Sequence, residues 1–146
     1  MDILIRAGVA LLLLFAGISL SLLYQRWLKS RSSKFLPELG PLHPRTFKLV
    51  YFTTPTCVPC KTVQRPAIEQ LSQALGDALQ VFEIDASQRP ETASHWGVLS
   101  VPTTFVIDPR GKVRHINHGV ARAEKLMRQI QDLQEGIAKN EIGSLL

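Results

Sequence analysis

The chain has 146 residues, enough for one modest domain with an appendage. Its 45 % hydrophobic and 20 % charged side chains exclude wholesale disorder, and two cysteines are too few for a disulfide-stapled miniprotein or a four-cysteine zinc ribbon. The net charge of +5 is a local cluster of Arg26, Lys29, Arg31 and Lys34, and from Phe35 onward twelve basic face eleven acidic side chains, which speaks against a nucleic-acid binder.

No side chain between Arg6 and Arg26 is charged, and Ala7 to Tyr24 is almost wholly apolar. About 20 helical residues cross a hydrocarbon core of ~30 Å. Residues 1–28 therefore read as a single-pass transmembrane anchor that meets lipid through residues 3–27. Arg6 would snorkel to one interface, and Tyr24 and Trp27 suit the other. Two rival readings fit less well. A cleaved signal peptide has a shorter apolar region, about 7–15 residues, and a small-x-small cleavage site. A buried core helix keeps polar positions on some face. The four cations after the span outnumber those before it, so the positive-inside rule places the following domain in the cytoplasm. An extracytoplasmic domain is the alternative. The same cations would be drawn to anionic lipid headgroups.

Residues 29–44 hold three serines, Pro37, Gly40, Pro41 and Pro44, a linker composition. An alternating pattern then marks a domain over 45–138, with a short tail over 139–146. Phe47 to Phe52 is a β-rich run closed by the turn-like Thr53-Thr54-Pro55-Thr56. After Cys60, the residues Val63, Ala67, Ile68, Leu71 and Leu75 recur at helical spacing up to a capping Gly76, and Pro66 predicts a kink. Leu79 to Ile84 reads as a second strand, Glu91 to Trp96 as a short helix, and Thr103 to Ile107 as a third strand. Asp108-Pro109-Arg110-Gly111 turns into a fourth strand, Lys112 to Asn117. Leu126, Ile130, Leu133 and Ile137 mark one face of a closing helix. The order implies an α/β fold, a mixed sheet with helices on both faces. Trp96 and Phe105 are assigned to its core, and His115 and His118 to a solvated edge.

The chemistry lies in Cys57-Val58-Pro59-Cys60, at the junction of a strand and a helix. The spacing lets two sulfurs bridge within one turn. The helix N-terminus offers unpaired N–H groups and roughly half a positive charge, which favours a thiolate at Cys57. Such a setting lowers a thiol pKa from ~8.5 to about 3.5–7.5. Cys57 is thus expected as the exposed nucleophile and Cys60 as the sheltered resolving thiol, exchanging disulfides without a metal or organic cofactor. A zinc site would need His43, His95, His115 or His118, whose scatter gives no ligand spacing. A purely structural disulfide gains little from closing so short a loop.

Cys57-Val58-Pro59-Cys60-Lys61 resembles the active-site run of the thioredoxin family, and Val101-Pro102-Thr103 resembles its cis-proline loop. Asp85, Gly111 and Gly119 fall at the family's strand-end acid and turn glycines, and the resemblance spans Thr46 to Glu135. It implies a cis Pro102 beside the cysteines and substrate binding by Val101 and Pro102, whose loop would pair with an extended chain. Val58, Pro59, Thr56 and Lys61 are the supporting residues: Pro59 resembles the reducing members, and Lys61 adds to the positive field near Cys57. Some positions depart from the family. Tyr51 stands where reducing members have a buried Asp, Val81 replaces its Lys partner, Thr56 replaces a tryptophan, and Pro66 lies one residue later than the usual kink. These departures suit a dedicated partner better than general thioredoxin activity.

The resulting expectation is a membrane-tethered protein disulfide reductase, a thiol–disulfide oxidoreductase working between an upstream thiol donor and protein disulfides. Its alternatives are an extracytoplasmic reductase serving cytochrome c maturation, a thiol oxidant, and an anchored binding module without turnover.

Overall fold

A computed structural model of the chain describes residues 2–32, 35–36, 43 and 45–143. Most of the expected linker and the last three residues of the expected tail lie outside the described residues. Helix α1 runs from Asp2 to Ser32, past residue 28 and into the segment expected as linker. Between Arg6 and Arg26 it is apolar on all sides, and its side chains there are open, with Leu12 67 % and Phe15 68 % exposed. The stretch Ile5–Ser30 is long and apolar enough to cross a membrane. Near its end the helix meets the domain. Leu28 is buried against Gly97, where φ is +67° and any Cβ would collide with the Leu28 side chain.

Four strands follow: β1 (Phe47–Thr53), β2 (Leu79–Asp85), β3 (Thr103–Ile107) and β4 (Val113–His118). Helix α2 (Arg65–Leu75) joins β1 to β2, α3 (Pro90–His95) joins β2 to β3, and α4 (Ala123–Gly143) closes the chain. The sheet order is β2-β1-β3-β4, with β1 parallel to β2 and the other two pairs antiparallel. Every residue of β1 is buried, as suits a central strand covered on both faces. Strand ends differ from the sequence reading by a residue, the usual uncertainty of frayed termini.

Alternation along the strands sorts the core onto two faces. Leu49, Tyr51 and Val106 join Ile68 and Leu71 of α2 and Leu126 and Ile130 of α4, together with both cysteines. Val50, Phe52 and Phe105 join Ala93 of α3 and Trp96 on the other side. There the Trp96 and Phe105 rings meet edge to face at 5.0 Å. His115 is half-buried rather than solvated, because it lies opposite the buried Val106 in the ladder. Burial, then the nearby Lys29 and Arg114, pushes its imidazole below the ordinary value, against the pull of Asp132. His118 is exposed.

Candidate active site

Strand β1 ends at Thr53, and the Cys57 N–H bonds back to the Thr54 carbonyl at 3.2 Å, turning the chain into the first helical residues. Cys57 and Cys60 form a disulfide with their Cα atoms 5.3 Å apart. The Cys60 N–H donates to the Cys57 sulfur at 3.2 Å, and the Lys61 N–H to the Cys57 carbonyl at 3.3 Å. The start of the helix thus aims a donor at Cys57 Sγ, the arrangement that favours a negative sulfur once the bridge opens. Both cysteines are buried, so Cys57 is less open than the exposed tip expected from sequence. What exposure remains belongs to Cys57, at 9 % against 1 % for Cys60.

The helix opens with α-helical Val58 and Pro59 and widens from Cys60 onward. Cys60–Gln64 forms a π turn, and its last bond runs from the Arg65 N–H to the Cys60 carbonyl. Pro66 has no N–H to give the carbonyl four residues back, and its ring crowds that position. The kink expected at Pro66 therefore takes the form of a widened turn ahead of it. The same Cys60 carbonyl accepts the Tyr51 hydroxyl at 3.2 Å. Burial raises the Tyr51 phenol above its ordinary 10.0, with Thr53 opposing through a side-chain hydrogen bond. At neutral pH the phenol keeps its proton. Tyr51 therefore holds the backbone of the second cysteine and does not serve as a base there.

Gln64 is the residue that sequence reasoning missed. Its side chain is wholly buried and makes a reciprocal pair with Ala121: Nε2 donates to the Ala121 carbonyl at 2.9 Å, and Oε1 accepts the Ala121 N–H at 2.8 Å. The spacing from Cys60 to Gln64 to Ile68 put it on the inward face, which was the available signal. Two residues earlier, the Gly119 N–H donates to the Pro102 carbonyl at 2.8 Å. One segment is therefore fastened at once to the cysteine turn and to the proline loop.

The Val101–Pro102 peptide is cis, the conformation the family resemblance implies. Val101 packs against the cluster that contains both sulfurs, and Pro102 is buried. Val58, Pro59, Thr56 and Lys61 are all exposed around the turn. Beside them lies an open cleft of about 410 Å³ between Thr54, α3 and the loop from Gly97 to Val101. Leu99 in its lining is 83 % exposed, and Val58 on the cysteine turn is 67 % exposed. Among the described residues no three His, Cys, Asp or Glu side chains gather as metal ligands.

The thioredoxin family model matches residues 32–132. The chain is 42 % identical over 59 residues to thioredoxin of Bacillus subtilis, covering 40 % of this chain and 56 % of that one. It is 33 % identical over 87 residues to the chloroplastic thioredoxin Y of Oryza sativa, covering 60 % of this chain and 51 % of that one. The match thus spans about half the length of these curated relatives. Among solved structures, malaria parasite thioredoxin-2, described as a component of the parasite's protein secretion machinery, superposes with a TM-score of 0.59. That likeness, at 18 % identity over 64 % of this chain and 88 % of the other, concerns the fold alone. With the family model matched over most of its length, this chain belongs to the thioredoxin family.

Proposed function

We propose that the chain is a membrane-tethered thiol–disulfide oxidoreductase that reduces protein disulfides. The observation that carries the reading is the Cys57–Cys60 bridge at the start of a helix, with the Cys60 N–H on the Cys57 sulfur and the cis Val101–Pro102 loop packed alongside. The Cys57 thiolate attacks one sulfur of a client disulfide, forms a mixed disulfide and expels the other client sulfur as a thiolate. Cys60, losing its proton, attacks Cys57 and releases the second client thiolate. The client gains two electrons, and the pair closes into its disulfide. An upstream dithiol reopens it by the reverse exchange.

Val101 and Pro102 bind the client chain as an added strand, and Thr56, Val58, Pro59 and Lys61 frame its approach. Residues 1–28 anchor the protein and residues 45–138 carry the redox domain. Arg26 and Lys29 near the end of α1 stand with Lys112 around one cleft. That concentration of cations beside the span supports a cytoplasmic domain under the positive-inside rule.

In insulin-disulfide reduction by the full chain, Cys57→Ser is expected to abolish turnover. Cys60→Ser is expected to accumulate mixed disulfides visible on non-reducing gels. Turnover by Cys57→Ser equal to the parent's would refute the reading in favour of a binding module.

A further inference from the structure

A second cleft of about 510 Å³ is lined by Val63, Val120, Arg122, Glu124, Lys125 and Arg128, and shares no lining residue with the cleft at Thr54. Three cations and a single acid meet there. Among the described residues no carboxylate lies within ion-pair distance of Arg122, Lys125 or Arg128. All three are exposed. Their neighbour in the lining, Glu124, offers Arg128 only its backbone carbonyl, at 3.4 Å from Nε.

The position of this cleft matters as much as its charge. Val63 stands one turn beyond Cys60, within the π turn. Val120 and Arg122 flank Ala121, the residue bonded to Gln64 and packed in the cluster of both sulfurs. Gly119 is tied to Pro102. The proline loop thus borders the uncharged cleft through Val101 and is tied through Gly119 to the segment that lines the cationic one.

We infer that this cationic cleft receives an acidic segment of the client, so that the chain selects disulfides flanked on one side by Asp or Glu. The inference rests on the reductase reading and adds its substrate class. Opposite charge in an open, solvated cleft acts chiefly on the encounter rate and on the choice of partner. Salt should weaken the selection, because exposed charges are screened over about 8–10 Å.

The test uses the full chain in a neutral detergent, reduced with dithiothreitol and freed of it. The reduced protein is mixed with peptide loops closed by one disulfide and flanked by acidic, uncharged or basic residues, and the released peptide thiols are timed. Hydroxyethyl disulfide serves as a small uncharged reference substrate. The acidic loop is expected to react about tenfold faster than the basic one at low salt, the ratio approaching one near about 0.5 M salt. The combined Arg122→Glu, Lys125→Glu, Arg128→Glu variant should invert the order. Should that variant fold poorly, Arg128→Gln alone should lower the acidic-to-basic ratio about twofold. Equal rates for acidic and basic loops, with hydroxyethyl disulfide still reduced, would overturn this inference alone. A ratio untouched by the combined variant would do the same. A chain that reduces neither the loops nor hydroxyethyl disulfide would overturn the reductase reading as well.

Discussion

The two faces of the sheet are built from the same four strands and serve different ends. The face toward α3 is mainly rings and aliphatic chains, Phe52, Trp96, Phe105 and Ile107 among them. Its buried polar members Lys48 and Thr103 bond only the nearby carbonyls of Thr46 and Ser100. The face toward α2 and α4 admits polar atoms into its interior: the Tyr51 hydroxyl on the Cys60 carbonyl and the Gln64 amide on Ala121. An apolar layer gains its stability from area and close packing, and no particular atom of it need point anywhere. A face that must hold two sulfurs, a π turn and a proline loop in register needs directional bonds. The difference teaches that stability and positioning are separable here, one face supplying mostly the first and the other the second.

The largest effect that could break this division is on the aromatic face. Trp96→Ala should cost about 3–5 kcal/mol in urea unfolding, since it empties the volume between Phe52 and Phe105. The rate of disulfide reduction per folded molecule should stay close to the parent's, and a large fall in that rate would erase the distinction. Gln64→Ala tests the other face with a smaller energetic cost, about 2 kcal/mol for leaving the buried Ala121 amide groups unpaired. Its signature is a fall in reduction of peptide disulfides that exceeds any loss of folded protein. A variant that loses stability and keeps its rate would show the Ala121 pairing to be ordinary packing.

The smallest effect concerns pH. Burial holds His115 below its ordinary value of 6.5, so the unfolded chain binds more protons than the folded one as pH falls through that value. Stability should be greatest above this point, decline on acidification, and level off below the lowered value of the folded state. Urea midpoints taken from about pH 8 to about pH 5 should show that decline, and His115→Gln should flatten it. An unchanged slope in the variant would place the titration elsewhere.

Much of this was legible in the sequence, and the exceptions share a cause. The strands and the amphipathic helices announced themselves because their signal is local, a period of two or of 3.6 residues. The Cys57-Val58-Pro59-Cys60 motif did so because helix-start chemistry is also local. The Gln64–Ala121 pair joins positions 57 residues apart, and nothing near Gln64 names its partner. The contact of Leu28 with Gly97 is likewise a meeting of distant segments. Tyr51 could be seen to replace an acid, but its bond to the Cys60 carbonyl depends on how the π turn tilts that peptide. The half-buried state of His115 follows from the ladder partner it acquires, Val106.

The central claim is that Cys57, once reduced, is held as a thiolate by the helix start and the Cys60 N–H. The most direct measurement is the pH dependence of Cys57 alkylation by iodoacetamide in the reduced full chain, with the modified residue identified by mass spectrometry. The account predicts that Cys57 is alkylated first, with an apparent pKa well below the free-thiol value of ~8.5. A Cys57 that titrates at or above that value, or that reacts no faster than Cys60, would contradict it.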